Sequence, residues 1–113
     1  MKKQLLLFVL MLLPMVASAD VEISEEYFPD ENFRAYLLVQ PYGNDGVITE
    51  SEIKNVTSIN VIGRTISSLK GIEFFTSLST LHCSNNQLTS LDVSKNTNLK
   101  NLDCYNTTKI SMT

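Results

Sequence analysis

Between Leu78 and Thr107 one pattern is written twice, and it restricts the possible folds more tightly than any other feature of the chain. Leu78, Leu81, Cys83 and Asn86 of the first copy become Leu99, Leu102, Cys104 and Thr107 of the second, each 21 residues later. Going backwards, Val56, Ile59, Val61, Arg64 and Ile66 match Leu78, Leu81, Cys83, Asn86 and Leu88 at an offset of 22, which makes a third copy one residue longer. Within each copy the residues two apart (Ile59 and Val61, Leu81 and Cys83, Leu102 and Cys104) alternate as a strand does, so they face one way. One strand cannot bury that face alone, but copies stacked as a parallel ladder do, at about 4.7–4.9 Å per strand. Asn86 then stands where the chain turns out of its strand, where a side-chain amide can bond backbone groups left unpaired. Arg64 and Thr107 hold that place in the other copies, so the series of asparagines is incomplete. The return segments, Ile66 to Leu78 and Leu88 to Leu99, carry further apolar residues back to the next strand.

A period of about 20–29 residues with the shape L-x-x-L-x-L-x-x-N-x-L is the sequence sign of a leucine-rich repeat. The expected fold is α/β: a short solenoid with a parallel strand ladder of about three repeats, 21–22 residues each, and a helical N-terminal cap. The run from Leu81 to Leu99 resembles the short internalin-like repeats of bacterial surface and secreted proteins, especially those of gut and oral Bacteroidetes. The resemblance extends from Val21 to the end. It implies a curved solenoid that binds a protein through its concave strand face, without naming that protein.

The start of the chain reads as an export leader. Met1-Lys-Lys is a basic opening, Gln4 to Val16 is mostly apolar, and Ala17-Ser-Ala19 is a small-residue cleavage site. The apolar run is too short and wrongly flanked for a membrane span. Removing 19 of the 113 residues leaves 94, with 7 basic against 12 acidic side chains and a net charge of −5 in place of −3. That balance argues against a nucleic-acid partner. The expected organisation is a leader (1–19), a helical cap (20–55) and repeats at 56–77, 78–98 and 99–113, the last incomplete. A secreted, periplasmic or cell-surface location follows, without membrane insertion once the leader is gone.

The stretch before Val56 does not follow the repeat period. Asp30 is placed to cap a helix whose apolar positions are Phe33, Tyr36, Leu37 and Val39, stopped by Pro41 and Gly43. Thr49-Glu-Ser-Glu52 is a capping box opening a second helix that runs through Lys54 or Asn55. A terminal repeat needs such a cover over its apolar edge. Asp45, Gly46, Ile48 and Glu52 also match the second half of an EF-hand loop, but Pro41 and Gly43 fall where that loop needs oxygen ligands. The residues therefore read as two helices joined by a glycine turn, with no metal or other cofactor, and the caps of internalin-like proteins resemble EF-hands that have lost theirs.

Cys83 and Cys104 occupy equivalent places on adjacent rungs, where in-register side chains make the torsion of a disulfide hard to reach, so two buried thiols are expected. His82 faces away from Cys83, which disfavours zinc. It shares its side with Ser84 and Asp103, yet side chains two apart on a strand stand about 6.5 Å apart, too far for a triad, and no pocket is evident. A His82–Asp103 ion pair and no catalysis is the expectation. Asn55-Val-Thr57 and Asn106-Thr-Thr108 match the N-glycosylation pattern, read here as chance occurrences.

Function should then sit on the outward grid of Ser58, Asn60 and Ile62; Thr80, His82 and Ser84; Asn101, Asp103 and Tyr105. Asn60, Ile62, Thr80, His82, Ser84, Asn101, Asp103 and Tyr105 are its candidate partner-binding residues. Nine positions fall short of the roughly 20–30 residues a side of a standard interface. The last copy shows no capping segment, which leaves three alternatives: self-association through Leu99, Leu102 and Ile110, a truncated member of a longer family, or a frayed end.

Overall fold

The computed structural model describes residues 19–107 and 111–112. Most of the expected leader and Ile110 lie outside the described residues. Strand β1 (Val21–Glu22) begins the described fold and helix α1 (Glu31–Leu38) follows. Asp30 opens that helix as expected, its Oδ1 accepting from the N–H groups of Asn32 and Phe33 at 2.9 and 3.0 Å. Phe33, Tyr36 and Leu37 are buried.

Val39 does not join them. The helix ends at Leu38, and Val39 is its C-cap, 73% exposed. Pro41 disfavours helical geometry at the residue before it, so the last turn cannot be completed. A short strand β2 (Val47–Ile48) pairs antiparallel with β1 and leads to α2 (Glu50–Asn55). The capping box is complete, with Thr49 Oγ1 accepting from Glu52 N–H and Glu52 Oε1 from Thr49 N–H.

The ladder follows. Strands β3 (Ser58–Asn60), β4 (Thr80–His82), β5 (Ser90–Leu91), β6 (Asn101–Asp103) and β7 (Ser111–Met112) form two parallel sheets, β3–β4–β6 and β5–β7. Ile59 pairs with Leu81 and Leu81 with Leu102, the offsets of 22 and 21 read from the sequence. Ile59, Val61, Leu81 and Cys83 are completely buried, whereas Leu99, Leu102 and Cys104 of the third rung are only half-buried. Between rungs, Ile66, Leu69, Ile72, Phe75, Leu78, Leu88 and Leu91 fill the core from the return segments.

The helical unit joins the ladder through aromatic rings. Phe28 lies edge-on to Phe33 and Phe74, at centroid separations of 5.6 and 5.9 Å, and tilted against Phe75. Such pairs add about 0.5–1.5 kcal/mol each to area burial. Gly71 is required beneath them: its φ is +107°, and a Cβ there would stand 2.1 Å from Phe28 Cδ1. Asp30 is a second joint, its other carboxylate oxygen accepting from the backbone of Ser67 and Ser68 at 2.8 and 3.1 Å.

Candidate functional site: the outward face of the ladder

Because β3, β4 and β6 run in register, their outward residues form rows: Ser58, Thr80 and Asn101, then Asn60, His82 and Asp103. His82 Nδ1 donates to Asp103 Oδ2 at 2.9 Å across the two rungs. A contact at this exposure contributes about 0–1 kcal/mol, so it orients the two side chains more than it stabilises the fold. Asn60 Oδ1 accepts from Ile62 N–H at 3.1 Å, closing a local turn that holds Ile62 outward. Ile62 is 43% and Tyr105 64% exposed, two apolar bodies at the ends of a polar field.

Ser84 is covered, unlike its equivalents Ile62 and Tyr105. It is completely buried, its Oγ accepting from Tyr105 N–H at 3.2 Å and its carbonyl accepting from Gly63 N–H at 3.0 Å. The same left-handed turn follows all three equivalent residues, at Gly63, Asn85 and Asn106, yet Ile62 and Tyr105 on the flanking rungs are exposed while Ser84 between them is covered. The Ser84 hydroxyl is thus engaged with the Tyr105 backbone, while His82 pairs with Asp103.

The turn is organised by Asn86, which is buried. Its Oδ1 accepts from Arg64 N–H and Ile66 N–H, both at 3.0 Å, and its Nδ2 contacts the carbonyls of Val61, Cys83 and Ser84 at 2.8–3.1 Å. A second buried asparagine is not signalled by the repeat consensus: Asn96 Nδ2 donates to the Ile72 and Phe75 carbonyls, both at 2.9 Å. The signal that could have found it is its place three residues before Leu99, which Phe75 holds before Leu78.

Cys83 and Cys104 are free thiols, the first buried and the second half-buried. Burial first, then the neighbouring Cys104 and Asp103, pushes the Cys83 thiol up to about 12. In the helical unit, Asp45 Oδ1 accepts from Val47 N–H and Glu52 is engaged in its capping box. Among the described residues no three His, Cys, Asp or Glu side chains gather as a metal would require, and no helix is long and apolar enough to cross a membrane.

Residues 76–112 match the family model described as leucine rich repeats (2 copies). The fold is a leucine-rich-repeat solenoid. Over 74 residues the chain is 36% identical to Internalin J of Listeria monocytogenes serotype 4b (strain F2365), a match that covers 64% of this chain and 8% of that protein. Among solved structures, an internalin (inlF) of the same strain superposes with a TM-score of 0.67 at 30% identity, over 86% of this chain and 29% of that one. The functional domain of InlJ from Listeria monocytogenes, described as including a cysteine ladder, superposes at 0.66 with 28% identity, over 83% of this chain and 23% of that one. The chain thus spans less than a third of the length of each of these internalin relatives. In this leucine-rich-repeat fold Cys83 and Cys104 sit on adjacent rungs, at the places that Val61 fills in the first.

Proposed function

We propose that this chain is an exported, non-catalytic module that binds a protein partner through the outward face of its ladder, concave by analogy with its relatives, with the α1–α2 unit covering the first rung. One observation carries the reading: Ile62 and Tyr105 stand exposed at either end of a face whose central pair, His82 and Asp103, is fixed across rungs at 2.9 Å. Aromatic and aliphatic side chains framed by small polar groups suit protein contact. Asn60, Thr80 and Asn101 complete the face. The apolar leader and the internalin relatives support export, to the periplasm, the cell surface or beyond.

The test is site-specific photo-cross-linking. Probes at Ile62 and Tyr105 should give adducts with one protein partner, and probes at Lys70 and Lys95 on the return segments should give none. The fourfold alanine variant of Ile62, His82, Asp103 and Tyr105 should lose the partner while remaining folded. Unchanged binding by that variant would refute the ladder face.

One observation favours a second reading, self-association through the third rung. Leu99 and Leu102 are half-buried where Leu78 and Leu81 are buried completely. Light scattering on residues 20–113 separates the two readings: a mass independent of concentration keeps the first, and a dimer broken by Leu102→Asp establishes the second.

A further inference from the structure

We infer that the shallow depression between α1 and the turn after β3 is a separate contact site, taking a carboxylate from an acidic segment of a partner protein that carries an apolar side chain beside it. The depression encloses about 390 Å³ and is lined by Asn32, Ala35, Ile62, Gly63 and Arg64. Arg64 is the one ionisable side chain in that lining. Its guanidinium carbon lies over the Tyr36 ring, 5.1 Å from the centroid, and among the described residues no carboxylate pairs with it.

Arg64 stands at the repeat's asparagine place, and the turn there does not need its side chain. Asn86 already accepts from the backbone N–H of Arg64 and of Ile66. The side chain is thus free of the task that buries Asn86, and it is exposed in a chain of net charge −3. A guanidinium held over a ring keeps five N–H donors in its plane, a fork that matches a carboxylate. Beside it Ile62 is partly exposed, Ala35 is exposed, and neither neighbour is charged. A lone cation against an apolar wall selects an acidic residue next to an aliphatic one over a free ion, because both contacts are made only by a peptide. Asn32 closes the far wall, its Nδ2 tied to the Thr65 carbonyl at 2.9 Å.

The inference does not rest on the ladder face; Ile62 borders both sites, and Ala35, Gly63 and Arg64, which the ladder-face variant leaves unchanged, tell the two tests apart. The chain labelled with ¹⁵N is titrated with the blocked dipeptide acetyl-Leu-Asp-methylamide, followed by chemical shifts, with acetyl-Leu-Asn-methylamide and sodium acetate as comparisons. Saturable shifts are expected at Ala35, Ile62, Gly63 and Arg64, with millimolar affinity for the Asp peptide. The Asn peptide, acetate alone, and the variant Arg64→Gln should each bind at least about tenfold more weakly, the difference of roughly one strong interaction. Equal binding of the Asp and Asn peptides, equal binding of acetate alone, unchanged binding by Arg64→Gln, or no saturable shift would each overturn it. In the last two cases, a lowered unfolding midpoint for Arg64→Gln would assign Arg64 to covering Tyr36 only.

Discussion

Arg64 and Asn86 hold the same place in successive copies, 22 residues apart, and one is exposed while the other is buried. The difference lies in what precedes each rung. Asn86 turns back toward the rung before it, where its amide satisfies two N–H groups and the Val61 carbonyl. Among the described residues no strand pairs with β3 on the side away from β4, and Asp30 at the start of α1 supplies the acceptor for Ser67 and Ser68. A repeat asparagine therefore belongs energetically to the preceding rung, and its place in the first rung is released for other use.

The contrast can be broken most strongly at Asn86. Asn86→Ala leaves buried N–H and C=O groups unsatisfied on two rungs and should cost about 3–5 kcal/mol in urea unfolding. Next come the inward positions of successive rungs. Leu81→Ala, at a completely buried site, should cost about 3 kcal/mol, while Leu102→Ala, half-buried on the third rung, should cost about half as much. Equal losses at the two would mean that the third rung is covered in solution. Asp30→Ala removes one carboxylate that serves α1 and the first return segment together and should cost about 2 kcal/mol, with Asp30→Asn recovering part of it.

A further contrast is silent at neutral pH and emerges only in alkali. The fold favours the protonated thiol of Cys83, raised from 9.0 to about 12, so its stabilising contribution is complete below pH 9 and is lost as the pH climbs towards 12. The urea midpoint of the native chain should therefore fall more steeply over that window than the midpoint of Cys83→Ala. Smallest of all, Arg64→Gln should cost only about 0.5–1 kcal/mol, the worth of its contact with Tyr36. A loss as large as that of Asn86→Ala would erase the distinction between the two places.

The ladder is legible in the sequence because a period-two pattern repeated at 21 and 22 residues is enough by itself to fix strand register. Asp30, the capping box and the role of Asn86 at the turn are legible for a local reason: each satisfies backbone groups within a few residues, and Asn86 also reaches one rung back. What the pattern does not carry depends on where regular geometry stops. Alternation extended two residues past the end of β4 puts Ser84 on the exposed face with Ile62 and Tyr105, but Ser84 lies on the middle rung between them and is completely buried. Val39 fits the spacing of a helical face that has already ended. Phe28 and the β1–β2 pair leave no local signal because they gain their partners only in three dimensions, Phe28 against Phe33, Phe74 and Phe75, and β1 against Val47 and Ile48. Along the face, Asn60, Ile62, Thr80, His82, Asn101, Asp103 and Tyr105 are exposed or partly exposed, and Ser84 is buried.

Native-state hydrogen exchange of Asn86→Ala against the native chain tests most directly whether a rung is held by the asparagine that follows it. The account predicts that protection falls most at the Arg64 and Ile66 amides, one rung back, beyond the uniform decrease seen at Val61 and Cys83. A uniform decrease at all four amides, or a loss greatest at Cys83, would contradict it.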